Sequence, residues 1–284
     1  MSGYGLRTVP PPGPGPSMCA VSDPDSSDAR AAVRAGRPLH LLLVWIVLLG
    51  AFAAVAPMAQ TASGIPFDVL SLVMLAPAAA GAVVLVRPSW LPRTRRPVSA
   101  GAVWRTAGYA VIAVTAFGTV LAVATGRAPD PSALDAGIPV AAFIAVQAVG
   151  VLSEEFGWRG IVQQCGERFA RPETVSVTAG FVFGATHIGY WPLGPVPVLT
   201  FSATAAVMGL TIALVFRGTM LQRMVPAVIV HLGVNLVLSV FSAPEEPLAT
   251  APVTLAAASA MLAAASLVEG VRRRGREGDR AASP

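Results

Sequence analysis

The chain has 284 residues, 54% of them hydrophobic and 12% charged, with a mean hydropathy of +0.66. This is too apolar for a soluble globular domain and reads as an all-α polytopic membrane protein, a helical bundle. The net charge of +5 and the pI near 10.2 come entirely from arginine, because the chain has no lysine; the arginines cluster between apolar windows, so the basicity needs no nucleic-acid partner.

Residues 1–37 open with the Pro/Gly run PPPGPGP at 10–16, followed by a Ser/Asp stretch. They hold too few large apolar side chains for a core and are expected to be a disordered tail. A transmembrane bundle is expected over 38–270 and a basic tail over 271–284. Spanning a bilayer takes about 20 apolar residues, and windows of that kind fall at 39–56, 66–86, 104–125, 137–152, 174–190, 196–216, 225–242 and 248–268, eight in all. The fourth is short if it stops at Leu152, so its helix is expected to run on through Glu154 and Arg159 and carry those charges partly into the bilayer. Nineteen of the 20 basic residues fall on one side of this arrangement, and Arg127 alone on the other. The positive-inside rule then places both termini in the cytoplasm, in an integral protein of the cell membrane, and the even number of spans agrees. The basic C-terminal tail can sit on anionic lipid. Cys19 lies in the N-terminal tail and Cys165 in a connection, so no disulfide framework is implied.

Within these windows stands a small set of polar residues: Glu154, Glu155 and Arg159, then His187, then His231 with Asn235. Only three His and one Asn occur in the chain. An ionised side chain at the centre of a membrane helix costs roughly 2.5–3.5 kcal/mol on insertion scales, so residues kept there usually have a function. Glu155 and Arg159 are four apart and can pair on one helical face. Glu154 is five from Arg159, about 140° around an ideal helix, which leaves it as the carboxylate without a local counter-charge, suited to a general base. His231 and Asn235, again four apart, point two neutral donors the same way and can stabilise an oxyanion. His187 lies one turn after Phe183 and can hold a water. Taken singly, each part also has a plain structural reading, as a helix-end charge network at the headgroups or as interhelical hydrogen bonding. For the residues to share one depth, the fourth helix must extend through Gln164 and the fifth must begin near Pro172.

The three spacings, in order, resemble the CPBP family of membrane-embedded CAAX prenyl protease type II and bacteriocin-processing (Abi) proteins. Its first motif stands as Glu154-Glu155-Phe156-Gly157-Trp158-Arg159-Gly160, with Trp158 in place of the more usual Phe; the second as Phe183 to His187; the third as His231 to Asn235. The matching core runs over about 140–240. The resemblance implies an intramembrane endopeptidase opening to the cytoplasm, with Glu154 and His187 activating water, His231 and Asn235 as transition-state ligands, and Glu155 and Arg159 in support. It also implies a peptide or protein substrate, apolar or lipidated. The favoured reading requires no cofactor. In the alternative, Glu154, His187 and His231 ligate a divalent metal such as zinc, for which two His and a carboxylate are an adequate set. Other classes remain open: a non-proteolytic scaffold, a bacteriocin self-immunity protein, or a proton-coupled transporter, although the chain lacks an evident internal repeat.

Overall fold

The computed structural model describes residues 24–92, 96–215, 217–242 and 248–281, and the regular structure among them is helical throughout. Helix α1 spans Pro24–Ser63. It shortens the expected disordered tail: residues 1–23, including Cys19, lie outside the described residues, whereas from Pro24 the chain is helical, with the strong helix formers Ala and Arg concentrated over 29–35. The chain divides into residues 1–36 and 37–284, and all that follows belongs to the second unit.

Each apolar window corresponds to a helical segment, but among the described residues six helices are long and apolar enough to cross a membrane: Arg37–Ser63, Ala100–Thr125, Val140–Gly166, Pro195–Val215, Met220–Phe241 and Pro252–Arg272. The second window, punctuated by Pro66 and Pro77, breaks into a 3₁₀ turn (Leu72–Leu75), α2 (Ala76–Gly81) and α3 (Val83–Val86). Helix α4 (Ala100–Thr125) starts at Ser99, whose Oγ accepts from Ala102 N, and stops at Gly126, which takes the left-handed conformation at φ 64°. The fourth span is continuous: α5 (Val140–Glu155), a π-helical stretch (Phe156–Val162) and α6 (Gln163–Gly166). The charges are thus carried inside a helix, and Cys165, expected in a connection, is buried in α6.

Helix α7 (Pro172–Ala185) has Pro172 in its first turn and is only 14 residues long; a 3₁₀ segment, Ile188–Leu193, takes over the rest of the fifth window. The two conditions for a common depth, a fourth helix through Gln164 and a fifth from Pro172, both hold in the fold. Helices α8 (Pro195–Val215), α9 (Met220–Phe241) and α10 (Pro252–Ala281) complete the chain. A capping box at Thr219 and Gln222 fixes the start of α9. Gln222 also brackets Val98, accepting from its N–H at 3.0 Å and donating to its carbonyl at 2.7 Å.

One core lies where α10 packs on α4 and α8 and α4 packs on α9, around Phe117, Leu121, Ile212, Val230 and Met261. A second joins α1 to the π-helical stretch and α7 through Leu41, Trp45, Trp158, Ile161 and Phe183. Lipid tails are as apolar as leucine, so helices associate in a bilayer through close packing and polar contacts. The α7/α8 pair is of this kind: a β-carbon at Gly180 would lie 2.5 Å from the Ala205 carbonyl oxygen, and one at Gly184 would lie 2.5 Å from Ser202 Cα. Large apolar side chains such as Val47, Trp104, Val123 and Leu267 are left on the outside, as a lipid-facing surface requires.

Candidate active site

The fourth span carries two adjacent carboxylates into the protein just where it changes winding. Glu154 and Glu155 end α5, and the π-helical stretch that follows holds Arg159. Such stretches concentrate at functional sites because the wider turn re-aims side chains. Here Gly157 lets other elements press on it: a β-carbon there would lie 2.5 Å from the Pro77 side chain and 2.9 Å from Trp45. Trp45 Nε1 donates to the Pro77 carbonyl at 3.1 Å, and the Ala78 N–H donates to Ser153 Oγ at 3.2 Å, so α1 and α2 brace the carboxylate-bearing turn.

Arg159 Nη1 donates to Glu155 Oε1 at 3.0 Å, the pairing expected from the spacing, with both groups buried. The same oxygen accepts from His231 Nδ1 at 2.7 Å. A carboxylate only accepts, so this bond puts a proton on Nδ1 and turns Nε2 toward Glu154, whose Oε2 is 3.6 Å away. Glu154 is left out of the Arg159 ion pair, as its spacing implied, and faces the imidazole instead. Consecutive positions on the helix reach one imidazole from two sides, and the wider turn beyond Glu155 departs from the ideal winding behind the 140° figure. Two carboxylates face one guanidinium, so one further proton, placed between His231 Nε2 and Glu154, makes the buried cluster neutral. Among the described residues, Glu155 Oε2 and Arg159 Nη2 are buried without a hydrogen-bond partner. The Arg159 guanidinium also lies 5.7 Å from the Phe183 ring centroid.

His187 sits just past the end of α7, half-buried. Its Nδ1 donates to the Phe183 carbonyl at 2.8 Å, which leaves Nε2 as an acceptor. Phe183 stands edge-on to both imidazoles, with ring centroids 4.7 Å from His187 and 5.7 Å from His231. Its ring is the spacer between the second and third motifs. Tyr190 and Phe201 close the other side of His187, at 6.2 and 4.8 Å between centroids. Asn235 follows His231 by one turn on α9 and is half-buried, and no hydrogen bond joins its carboxamide to the cluster among the described residues. The fold thus brings Glu154, Glu155, Arg159 and His231 into contact, with His187 adjoining through Phe183 and Asn235 one turn along. Trp45, in the first helix, was invisible to motif reading; its only sequence signal was an aromatic residue in an apolar window.

Among the described residues, no three His, Cys, Asp or Glu side chains are placed together to hold a metal ion.

The apolar spanning helices support an integral membrane protein, and they hold a buried carboxylate and imidazole cluster. Residues 136–237, which contain every residue of the cluster, match the family described as type II CAAX prenyl endopeptidase Rce1-like, in agreement with the resemblance carried by the three motifs. That match supports a CAAX-type intramembrane protease family, whose substrates are peptides or proteins. Among curated proteins, none matches the chain.

Proposed function

We propose that the chain is an intramembrane endopeptidase that hydrolyses a peptide bond near the cytoplasmic membrane face with a glutamate/histidine-activated water. The observation that carries this reading is the approach of Glu154 and Glu155 to opposite nitrogens of the buried His231, at 3.6 and 2.7 Å, within the Rce1-like segment. In this mechanism the water is held by His187 Nε2, which accepts one O–H, and gives its other proton to Glu154 as hydroxide adds to the scissile carbonyl carbon. The oxyanion that forms is met by the Asn235 carboxamide N–H and by His231 Nε2–H when the shared proton resides there. Collapse breaks the C–N bond, and Glu154 returns its proton to the leaving amine, so atoms and charge balance. Glu155, neutralised by Arg159, holds the His231 ring and its tautomer, as a carboxylate does behind a catalytic imidazole.

The arginine distribution supports a site reached from the cytoplasm, with both termini on that side. An apolar or lipid-modified peptide suits the exposed Ile188 and Trp191 beside His187. Comparison of protein N- and C-terminal peptides between cells lacking the chain, cells carrying it and cells carrying Glu154→Gln tests the proposal. Termini that appear only with the unmodified chain support it. Identical termini in all three contradict it.

A further inference from the structure

A second buried polar layer lies beyond the site, and no motif includes it. Gln163 is only 1% exposed and its amide is fully engaged: Nε2 donates to Glu167 Oε1 and to the Pro172 carbonyl, each at 3.0 Å, and Oε1 accepts from Ser176 Oγ at 2.9 Å. Glu167 Oε1 also accepts from Arg223 Nη1 at 3.0 Å, and Arg223 Nε donates to the Gly218 carbonyl at 3.2 Å. Ser176 and Arg223 are buried as well.

This layer joins the three helices that carry the three motifs. Gln163 continues the helix of Glu154 and Glu155, Pro172 and Ser176 begin the helix of Phe183, and Arg223 lies in the first turn of the helix of His231. Gln163 is eight residues from Glu155, and Arg223 is eight residues from His231. At 1.5 Å per residue Arg223 lies about 12 Å along α9 from His231, and Gln163 lies beyond the whole π-helical stretch from Glu155. The two layers are therefore rungs of one ladder between the fourth span and α9, with α7 tied to the same rung through Gln163. Removing one partner in a buried network leaves another group unsatisfied, so the network tolerates little sliding. The upper rung needs such control, because a slip of one helical turn, about 5.4 Å, would part His231 from Glu155.

We propose that Gln163, Glu167 and Arg223 are positioning residues that lock α6, α7 and α9 into the register at which His231 Nδ1 meets Glu155. The consequence for catalysis rests on the endopeptidase reading; the register itself does not. The test uses full-length protein labelled with ¹⁵N-histidine in nanodiscs, where the hydrogen-bonded Nδ1 proton of His231 gives its own resonance and three His residues make assignment by substitution direct. Kinetics are measured on the same samples with a peptide that the unmodified protein cleaves. In folded Gln163→Leu the His231 resonance shifts or is lost, and kcat falls about 10- to 100-fold, the scale of a misplacement near 1 Å, with KM little changed. Arg223→Lys, which keeps the charge but not the Nε donation, gives a smaller change in the same direction. Should Gln163→Leu fail to fold, Ser176→Ala and Arg223→Lys carry the test. Folded variants with an unchanged His231 resonance and unchanged kcat, even if less heat-stable, would overturn the proposal and reduce the layer to a structural one. If the unmodified chain cleaves no peptide yet the resonance still moves in Gln163→Leu, the protease reading fails and the positioning role stands.

Discussion

Arg159→Met removes the guanidinium while keeping most of the side chain's length, and its effect follows from what the charge neutralises. Glu155 is 0% exposed and Arg159 3%, and they are joined at 3.0 Å, so water cannot replace the lost partner. Breaking one side of a buried ion pair costs about 3–5 kcal/mol, because the other charge is left uncompensated. The neutral cluster also becomes one positive charge short, with two carboxylates sharing a single imidazole. Glu155→Gln combined with Arg159→Met removes both charges and keeps a carbonyl oxygen for His231 Nδ1. The double variant is therefore expected within about 1 kcal/mol of the unmodified protein, near the break-even found when whole buried pairs are replaced. The coupling, the two single costs together less that of the double variant, is then at least about 2 kcal/mol. Reversible unfolding of the four proteins in mixed micelles, followed by tryptophan fluorescence, measures it. A cost below about 1 kcal/mol for Arg159→Met, or strict additivity in the cycle, would refute the view that this pair is a desolvated charge balance.

Gly180→Ala drives a β-carbon to 2.5 Å from the Ala205 carbonyl oxygen and 2.8 Å from Ala206 Cα, and should cost about 1–3 kcal/mol in the same unfolding assay. Gly108→Ala, which meets nothing within 4 Å, should stay within about 0.5 kcal/mol of the unmodified protein. His187→Ala should lower kcat by about 10²- to 10⁴-fold in protein that still folds; an unchanged kcat would remove His187 from the mechanism. Cleavage should survive exhaustive chelation, because no three ligands converge among the described residues. Loss on chelation with recovery on added zinc would contradict this.

Much of the candidate site was legible because its signals are local. The pairing of Glu155 with Arg159 followed from spacing, and the short fourth window showed that its helix must continue. What escaped was tertiary or non-ideal. The angle assigned to Glu154 assumed ideal winding, which the π-helical stretch beginning at Phe156 breaks. The bond from His231 to Glu155 crosses 76 residues of sequence, and no periodicity encodes it. Nothing in the sequence sets Gln163 apart, because its burial depends on how α7 returns over it. Each apolar window found a helical segment but not its length, because Pro66, Pro77 and Pro192 interrupt stretches that composition alone treats as continuous.

Whether Glu154 is the base of a peptide-bond hydrolysis is decided most directly by one experiment. Purified protein in proteoliposomes is incubated with a library of apolar and lipid-modified peptides, and new termini are counted by mass spectrometry for the unmodified chain and for Glu154→Gln. Gln keeps the volume and an acceptor oxygen but cannot take a proton at neutral pH. The unmodified chain should cleave, and Glu154→Gln should lose at least about 10²-fold, with the His231 resonance still reporting an intact bond to Glu155. Cleavage by Glu154→Gln at the unmodified rate would contradict that role for Glu154.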